Sequence, residues 1–315
     1  MRRIIFIFFY LFVSQGHALE TDNYLVWKQE LDDSSKYINR YFSENIQEAL
    51  SEISDHREKD CYAITKKIAK RFSSRLVHDN PVENYLFSIL SEDEIFPRDL
   101  NYVDRSIYRE PYRFYIPWFG LAPSIQVNGY YFGTDKLSHF ASTGMQYYQV
   151  YYRELQKNHT PEEALKKSIQ WGILDERGIH GYLASGILSY ADLESNYQGL
   201  KFYQNFCHGD RPYLARSSEG RWELRRKPSI RDYVSGYWDE TFEISYRLSG
   251  NWKKVAPAIK NYCQLSNSER VSNRLSYYRR TSIPSPSVRY LNSLKKSGKL
   301  PDPSLTQSFE QLCFK

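Results

Sequence analysis

Residues 135–156 read DKLSHFASTGMQYYQVYYRELQ, and this stretch decides the fold because its side chains repeat with helical spacing. One face of the predicted helix is apolar and consists mainly of Leu137, Phe140, Gly144 and Tyr148. A second face carries short polar side chains and begins with Asp135 and His139, which are four residues apart. The pattern predicts an amphipathic helix from Asp135 to about Gln156.

Two further helices are predicted on either side of a glycine-rich segment. Thr160-Pro161 is typical of a helix start, and that helix should end near Gly178. Residues 178–188 (GIHGYLASGIL) can form only a tight loop or a small hairpin. Ser189 begins an S-x-x-D capping box, which predicts a helix to about Phe206.

The rest of the chain is also predicted to be largely helical. Residues 34–56 and 60–76 have amphipathic helical patterns, the second stopped by the segment HDNP. Asn128-Gly129 between β-prone runs predicts a hairpin. Residues 207–228 are predicted to be loop, and two or three helices are predicted within 229–264. The expected fold is mainly α, a compact helical domain with one or two small β-hairpins.

The composition is typical of a folded globular protein. Of 315 residues, 41% are hydrophobic, 25% are charged and 16% are aromatic, which argues against a disordered chain. The same values exclude a polytopic membrane protein and a collagen-like repeat. The net charge of +6 is small and dispersed, so nucleic acid is not an expected partner.

The first residues predict export from the cytoplasm. Basic Arg2 and Arg3 precede an apolar run from Ile4 to Val13, and Ala18 supplies a small residue for cleavage. Residues 1–18 are therefore predicted to be a cleaved signal peptide, which leaves a periplasmic or secreted protein with no stable membrane span. An uncleaved N-terminal anchor is the alternative.

The cysteines predict two disulfides rather than a metal site. An exported chain with four cysteines, Cys61, Cys207, Cys263 and Cys313, allows three pairings. We favour Cys61 with Cys207 and Cys263 with Cys313, the second within the C-terminal region. The spacings typical of zinc fingers and redox motifs do not occur, and no cofactor is expected.

Three regions are predicted to follow the signal peptide. Residues 19–110 form an N-terminal helical region, residues 111–210 carry the candidate site, and residues 211–315 form a C-terminal helical region. We expect the last region to be held by a disulfide and packed on the core as one domain, and the protein to be a monomer.

The polar stripe of the central helix is a candidate cleft wall. After Asp135 and His139 it continues through Thr143 and Gln146, all short or neutral side chains that suit a hydrogen-bonded cleft. A plain solvated surface is the alternative, because a histidine beside a carboxylate is common in both settings.

Glu176 is the candidate general acid. It lies in the last turn of its predicted helix beside Asp175, where the helix dipole and the neighbouring charge both raise a carboxyl pKa. A raised pKa allows an acid to keep its proton near neutral pH. The alternative is a surface ion pair with Arg177. His180, in the glycine-rich segment, could reach either Glu176 or a ligand.

The helix that begins at Ser189 carries a second polar set. Ser189 and Asp192 cap a helix whatever the protein does. Asn196 and Gly199 continue the same face, and both residue types disfavour a helix interior. The pattern indicates either close packing or a binding face.

These residues together resemble a known pattern. D-K-x-x-H-F from Asp135, then Glu176, then S-x-x-D-x-x-x-N-x-x-G from Ser189 is similar to the block found in VanZ-like proteins and YfiM-like envelope lipoproteins. The resemblance covers about 65 residues, lacks the membrane spans of the first group and lacks the lipid-bearing cysteine of the second. It implies a single site formed by Asp135, His139, Glu176, Asp192 and Asn196.

The order of elements also resembles that of lysozyme-type glycosidases. In those enzymes a helix ends in a catalytic glutamate, a small hairpin follows, and a further helix begins. The likeness implies a second carboxylate opposite the acid, for which Asp192 and Asp135 are the candidates.

Three functions therefore compete, and from the sequence we favour the first. The first is an exported muramidase-like hydrolase of peptidoglycan or another envelope glycan. Glu176 would be its acid, Asp192 or Asp135 would stabilise charge, and the substrate would be positioned by His139, His180, Ser189, Asn196, Thr143 and Gln146. The second is a non-catalytic envelope protein whose polar set packs the core or docks a partner. The third is a metal-dependent hydrolase, which the spacing of the histidines disfavours.

The three hypotheses require different geometries. The hydrolase needs Glu176 in an open groove, away from Arg177. The packing network needs the set from Asp135 to Asn196 to be buried and mutually hydrogen-bonded. The metal site needs His139 and His180 to converge on one point.

Overall fold

The computed structural model describes residues 20–53, 60–73, 80–99, 102–109, 121–178, 181–182, 186–303 and 309–313. The predicted signal peptide and His180 lie outside these residues. The prediction of a mainly helical fold with small antiparallel sheets is confirmed.

The N-terminal part contributes α1 (Ser35–Glu52), α2 (Cys61–Ala69) and α3 (Pro81–Ile89). The first two confirm predicted helices, although α2 ends before residue 76. The sequence did not predict α3, because Asn80-Pro81 ends one helical pattern and also begins the next helix. Proline is favoured at the first helical position, where its fixed backbone angle already suits a helix.

A three-stranded sheet precedes the central helices. It consists of β1 (Ile95–Phe96), β2 (Ser124–Val127) and β3 (Tyr130–Gly133), antiparallel and in that order. At the β2–β3 turn, Asn128 and Gly129 have φ angles of 51° and 82°. Positive φ at both positions is what a two-residue hairpin turn requires, so the predicted hairpin is confirmed.

The centre of the fold is a packed set of helices. The stretch from residue 135 forms α4 (Asp135–Ser138), a π-helical turn (His139–Thr143) and α5 (Gly144–Gln156) without a break. Against α5 pack α6 (Pro161–Arg177) and α7 (Tyr190–Cys207).

Capping side chains fix where α6 and α7 begin. The Thr160 hydroxyl accepts a hydrogen bond from the Glu163 backbone, and the Glu163 carboxylate accepts one from Thr160. At the start of α7 the Ser189 hydroxyl accepts from the Asp192 backbone N–H. Both helix starts are as the sequence predicts.

Small strands connect the C-terminal part to the centre. β4 (Ile187–Leu188) pairs antiparallel with β7 (Tyr246–Arg247), and β5 (Leu214–Arg216) pairs with β6 (Trp222–Leu224). The prediction of loop over 207–228 was therefore wrong, because its middle forms a hairpin.

The remaining helices are α8 (Ser249–Lys260), α9 (Glu269–Thr281), α10 (Pro286–Lys296) and α11 (Phe309–Cys313). Single 3-10 turns occur at Leu25–Lys28, Tyr102–Arg105, Ile230–Asp232, Gly236–Trp238 and Leu265–Asn267. Two or three helices were predicted within 229–264. The structure has α8 there, together with two of these short turns.

The core and the disulfides join distant parts of the chain. One apolar cluster includes Ile38 of α1, Leu137 of α4 and Leu291 of α10. Disulfides link Cys61 to Cys207 and Cys263 to Cys313, which confirms the favoured pairing. No helix among the described residues is both long and apolar enough to cross a membrane.

Helices α5 and α7 approach each other through a pair of glycines. A methyl group added to Gly199 would lie 2.0 Å from the Phe140 carbonyl oxygen and 2.8 Å from the Gly144 Cα atom. No side chain can occupy that space, so only glycine allows the two backbones to come so close. Close packing is thus the reason for a glycine inside α7.

Gly199→Ala should lower the free energy of unfolding by about 1–3 kcal/mol, because the added methyl group meets rigid backbone. Urea unfolding of the disulfide-intact protein measures the change. The matched control is Gly250→Ala in α8, where an added Cβ meets nothing within 4 Å. That control should keep or slightly raise stability, because alanine favours a helix. Equal stability of Gly199→Ala and the parent would contradict the close contact.

Candidate functional site

A buried lysine lies at the centre of the predicted site. The Lys136 ammonium is 2.7 Å from Asp135 Oδ2, 2.6 Å from Asp192 Oδ1 and 2.7 Å from Glu240 Oε1. The Lys136 side chain is 0% exposed. We call Lys136, Asp135, Asp192 and Glu240 the Lys136 cluster. Its carboxylates come from α4, α7 and the turn after Trp238, so one cation joins three segments.

Hydroxyl groups complete the Lys136 cluster. Thr21 Oγ1 donates to Asp135 Oδ1 at 2.8 Å, and Ser189 Oγ donates to Glu240 Oε1 at 3.3 Å. The Tyr108 hydroxyl donates to Glu240 Oε2 at 3.4 Å. Burying a carboxylate costs free energy unless its oxygens accept hydrogen bonds, and these hydroxyl donors reduce that cost.

His139 extends the cluster along α7. Its Nε2 atom lies 3.3 Å from Asp192 Oδ2, and its Nδ1 atom lies 3.1 Å from Asn196 Oδ1. Only 6% of His139 and 2% of Asn196 are exposed. The structure therefore brings together Asp135, His139, Asp192 and Asn196.

Glu176 joins the same region through the start of α7. Its Oε1 atom accepts a hydrogen bond from the Ser189 backbone N–H at 3.3 Å, and the residue is 4% exposed. A Cβ atom on Gly181 would lie 2.5 Å from that oxygen, so this glycine leaves room for the carboxyl group. Glu176 is buried while Arg177 is exposed, so the two side chains do not form the surface pair considered above.

The environment of Glu176 differs from the open groove that a hydrolase was expected to need. Its carboxyl group is enclosed, because the helix end that carries it packs under Ser189. The lysozyme-type order is also incomplete among the described residues, since β4 pairs with the distant β7 rather than with a neighbouring strand. Residues 179–180 and 183–185 of this segment lie outside the described residues.

The two predicted acids have opposite pKa displacements. Burial, followed by the negative charges of Asp192 and Glu20, raises the pKa of Glu176 well above its usual value. Burial also acts to raise the pKa of Asp192, but the adjacent His139 and Lys136 outweigh it and hold that pKa below its usual value. Glu176 therefore holds its proton more strongly than Asp192 does.

Three residues at the site were missed by the sequence analysis. Lys136 and Glu240 belong to the cluster itself. Glu20 has a strongly raised pKa, first from burial and then from the charges of Glu240 and Asp192. Lys136 was visible only as part of the D-K-x-x-H-F pattern, and the distant Glu20 and Glu240 carried no local signal.

Thr143 and Gln146 do not join the cluster. Thr143 is half-buried and Gln146 is exposed, and neither hydrogen-bonds to the described cluster residues. The predicted stripe assumed regular α-helical spacing, but the π-helical turn His139–Thr143 inserts one residue. One residue is about 100° of helix rotation, so every later side chain moves off the stripe.

Buried carboxyl groups are a general feature of this fold. Four others, each hydrogen-bonded to hydroxyl or backbone donors, have raised pKa values: about 6 for Asp22 and Asp239, and about 7 for Glu83 and Glu194. Desolvation by burial is the largest cause in every case. Burial of Glu176 therefore does not by itself mark a catalytic acid.

The carboxylates of the Lys136 cluster have the spacing of a metal site. One oxygen from each of Asp135, Asp192 and Glu240 lies within 4.8 Å of the others. The Lys136 ammonium contacts all three, so it already supplies the positive charge that a metal ion would bring. The residues thus fit a lysine-centred cluster better than a metal centre.

Comparisons of the chain with protein-family models, with curated proteins and with solved structures find no match. The resemblance to VanZ-like and YfiM-like proteins stays a prediction.

Proposed function

We propose that the protein is a non-catalytic, exported envelope protein whose polar block is a buried packing network. The observation that carries this proposal is the Lys136 cluster, an ammonium with no exposed surface held by carboxylates from three segments. Two disulfides are consistent with an oxidising compartment such as the periplasm or the extracellular space.

The burial of four of the predicted site residues supports the same proposal. Asp135, Ser189, Asp192 and Asn196 are each 4% exposed or less. Asp135 and Ser189 hydrogen-bond to cluster residues, and Asp192 forms an ion pair with Lys136. Asn196 hydrogen-bonds to His139, so the set is connected as the packing hypothesis requires. A polymeric glycan needs a groove several sugars long, and these enclosed side chains do not offer one.

A second candidate function is hydrolysis of an envelope glycan, and the opposite pKa displacements of Glu176 and Asp192 favour it. Glycosidases separate the roles of two carboxyl groups in this way. Glu176 would donate the proton, Asp192 would stabilise positive charge, and His139 would orient Asp192.

Glu176→Gln distinguishes the two functions. Because the raised pKa of Glu176 favours its neutral form, the neutral amide should change the free energy of unfolding by less than about 1 kcal/mol. Glu240→Gln is the matched control, since the same substitution there removes a charge in contact with Lys136 and should cost more. Urea unfolding of both variants measures the difference.

The same Glu176→Gln protein tests for catalysis on purified sacculi, with normal and with N-deacetylated glycan. We expect no release of muropeptides by the parent or by the variant. Release by the parent and not by a folded Glu176→Gln protein would overturn the packing proposal and identify a glycosidase.

A further inference from the structure

A basic cleft lies apart from the Lys136 cluster. Its volume is about 500 Å³, and it is formed by the turn Leu25–Lys28, the segment 102–109 and helix α8. Its charged lining residues are the cations Lys28, Arg105, Arg109 and Lys254, together with the single acid Asp104.

The two lysines of this cleft, Lys28 and Lys254, are not balanced by acids among the described residues. Arg105 pairs with Asp99 at 3.2 Å, on the outside of the cleft lining. Among the described residues, neither Lys28 nor Lys254 has an acidic side chain within ion-pairing distance. Like charges from three segments repel one another, and a concave surface concentrates their field. Such a local conflict is relieved when an anion binds between them.

The wall of the cleft is rigid, and besides charged side chains it offers a ligand an aromatic ring and an amide group. Tyr262 is 8% exposed, and its ring packs 5.6 Å from that of Tyr24. The next residue, Cys263, is fixed by its disulfide to Cys313. The Lys28 ammonium lies 5.9 Å from the centre of the Tyr262 ring, and the Asn261 amide adds a polar group. A preformed wall fixes the shape of this side of the cleft before a ligand arrives.

A second cleft shows that this excess of positive charge is local. It has a volume of about 560 Å³ and lies between the β2–β3 turn and α9. There the cations Arg270 and Arg274 are matched by Glu30 and Glu269. The two clefts are similar in size, so the excess of positive charge belongs to the first cleft and is not a property of the whole surface.

We propose that the basic cleft binds a phosphate-bearing ligand. A phosphate group accepts several charge-assisted hydrogen bonds at once, from guanidinium and from ammonium groups, which matches a lining of two arginines and two lysines. The proposal does not depend on whether the Lys136 cluster is catalytic.

Inorganic pyrophosphate is the first probe, with binding to the full exported chain measured by calorimetry at low and at physiological salt. The test variant is Lys28→Gln with Lys254→Gln. The control is Lys253→Gln with Lys260→Gln, which removes the same charge from exposed positions of α8 outside the cleft lining. We expect the dissociation constant to rise about tenfold or more in the test variant and less than about twofold in the control.

Vesicles distinguish a soluble phosphate from a lipid headgroup. Parent and both variants are compared on phosphatidylglycerol and on phosphatidylcholine vesicles. Selective loss in the Lys28/Lys254 variant supports the proposal, with pyrophosphate as a soluble source or phosphatidylglycerol as a lipid-borne one. Equal losses in the two variants, or no binding of either probe by the parent, would overturn it.

Discussion

Replacing Lys136 with methionine should lower the free energy of unfolding by about 3–5 kcal/mol, the range found when one partner of a buried ion pair is removed. The methionine side chain fills much of the same space but leaves the carboxylates of Asp135, Asp192 and Glu240 facing one another without a cation. Urea unfolding at neutral pH measures the loss, and circular dichroism checks that the variant still folds.

The matched control for this substitution is Lys295→Met. Among the described residues the Lys295 ammonium forms an ion pair with one carboxylate, Glu243, at 2.6 Å, and its side chain is 9% exposed. Its replacement should cost less than about 2 kcal/mol, because only one charge loses a partner and water can still reach it. Losses of equal size at both positions would contradict the central role of Lys136.

A compensating variant separates charge from packing. Adding Glu240→Gln to Lys136→Met removes one of the unpaired carboxylates, so part of the lost stability should return. If the double variant is instead less stable by the sum of the two single changes, the cluster does not act as a coupled network.

Local chemistry explains which parts of the fold were predictable. The helix starts at Thr160 and Ser189 are predictable because a capping hydroxyl bonds to a backbone N–H only three residues further along the chain. Asn128-Gly129 predicts its hairpin because both residues tolerate positive φ. Helix α3 was missed because Pro81 can stop one helix and start another, and the sequence alone does not choose.

The site was only partly predictable because its key contacts are distant in sequence. Asp135 and His139 are four residues apart on one helix, and Asp192 and Asn196 are four apart on another. Each pair could therefore be placed on one face of its helix from the sequence. Glu240 meets Lys136 across 104 positions, and no period connects them. The π-helical turn was equally invisible, and it is the reason that Thr143 and Gln146 fall outside the site.

Burial also explains why a plausible acid is a weak argument for catalysis here. Glu176 was selected because its place at a helix end raises its pKa. In the structure the main cause is desolvation, which acts in the same way on Glu83 and Glu194, although neither lies in the last turn of a helix. Several buried carboxyl groups therefore hold their protons more strongly than exposed ones do. The stability of the protein should depend on pH as a result.

The stability of the protein should fall as the pH rises from about 5 to about 8. Burial raises the pKa of Glu83 and of Glu194 to about 7, from the usual value of 4.5. Between those values the folded chain holds protons that the unfolded chain has released, so stability present at low pH is lost through this window. Each group should contribute on the order of 2 kcal/mol. Asp192 acts in the opposite sense, but only at more acidic pH, because its pKa is lowered.

Urea unfolding at pH 5 and pH 8 tests this with Glu83→Gln combined with Glu194→Gln. Glutamine cannot ionise, and each replaced oxygen keeps hydroxyl neighbours, Ser138 and Thr134 for the first site and Ser285 for the second. The slope against pH should become markedly flatter. The control, Glu92→Gln with Glu162→Gln, changes two exposed side chains and should keep the parent slope. Identical slopes in both double variants would mean that Glu83 and Glu194 ionise freely in the folded state, and that burial does not hold their protons.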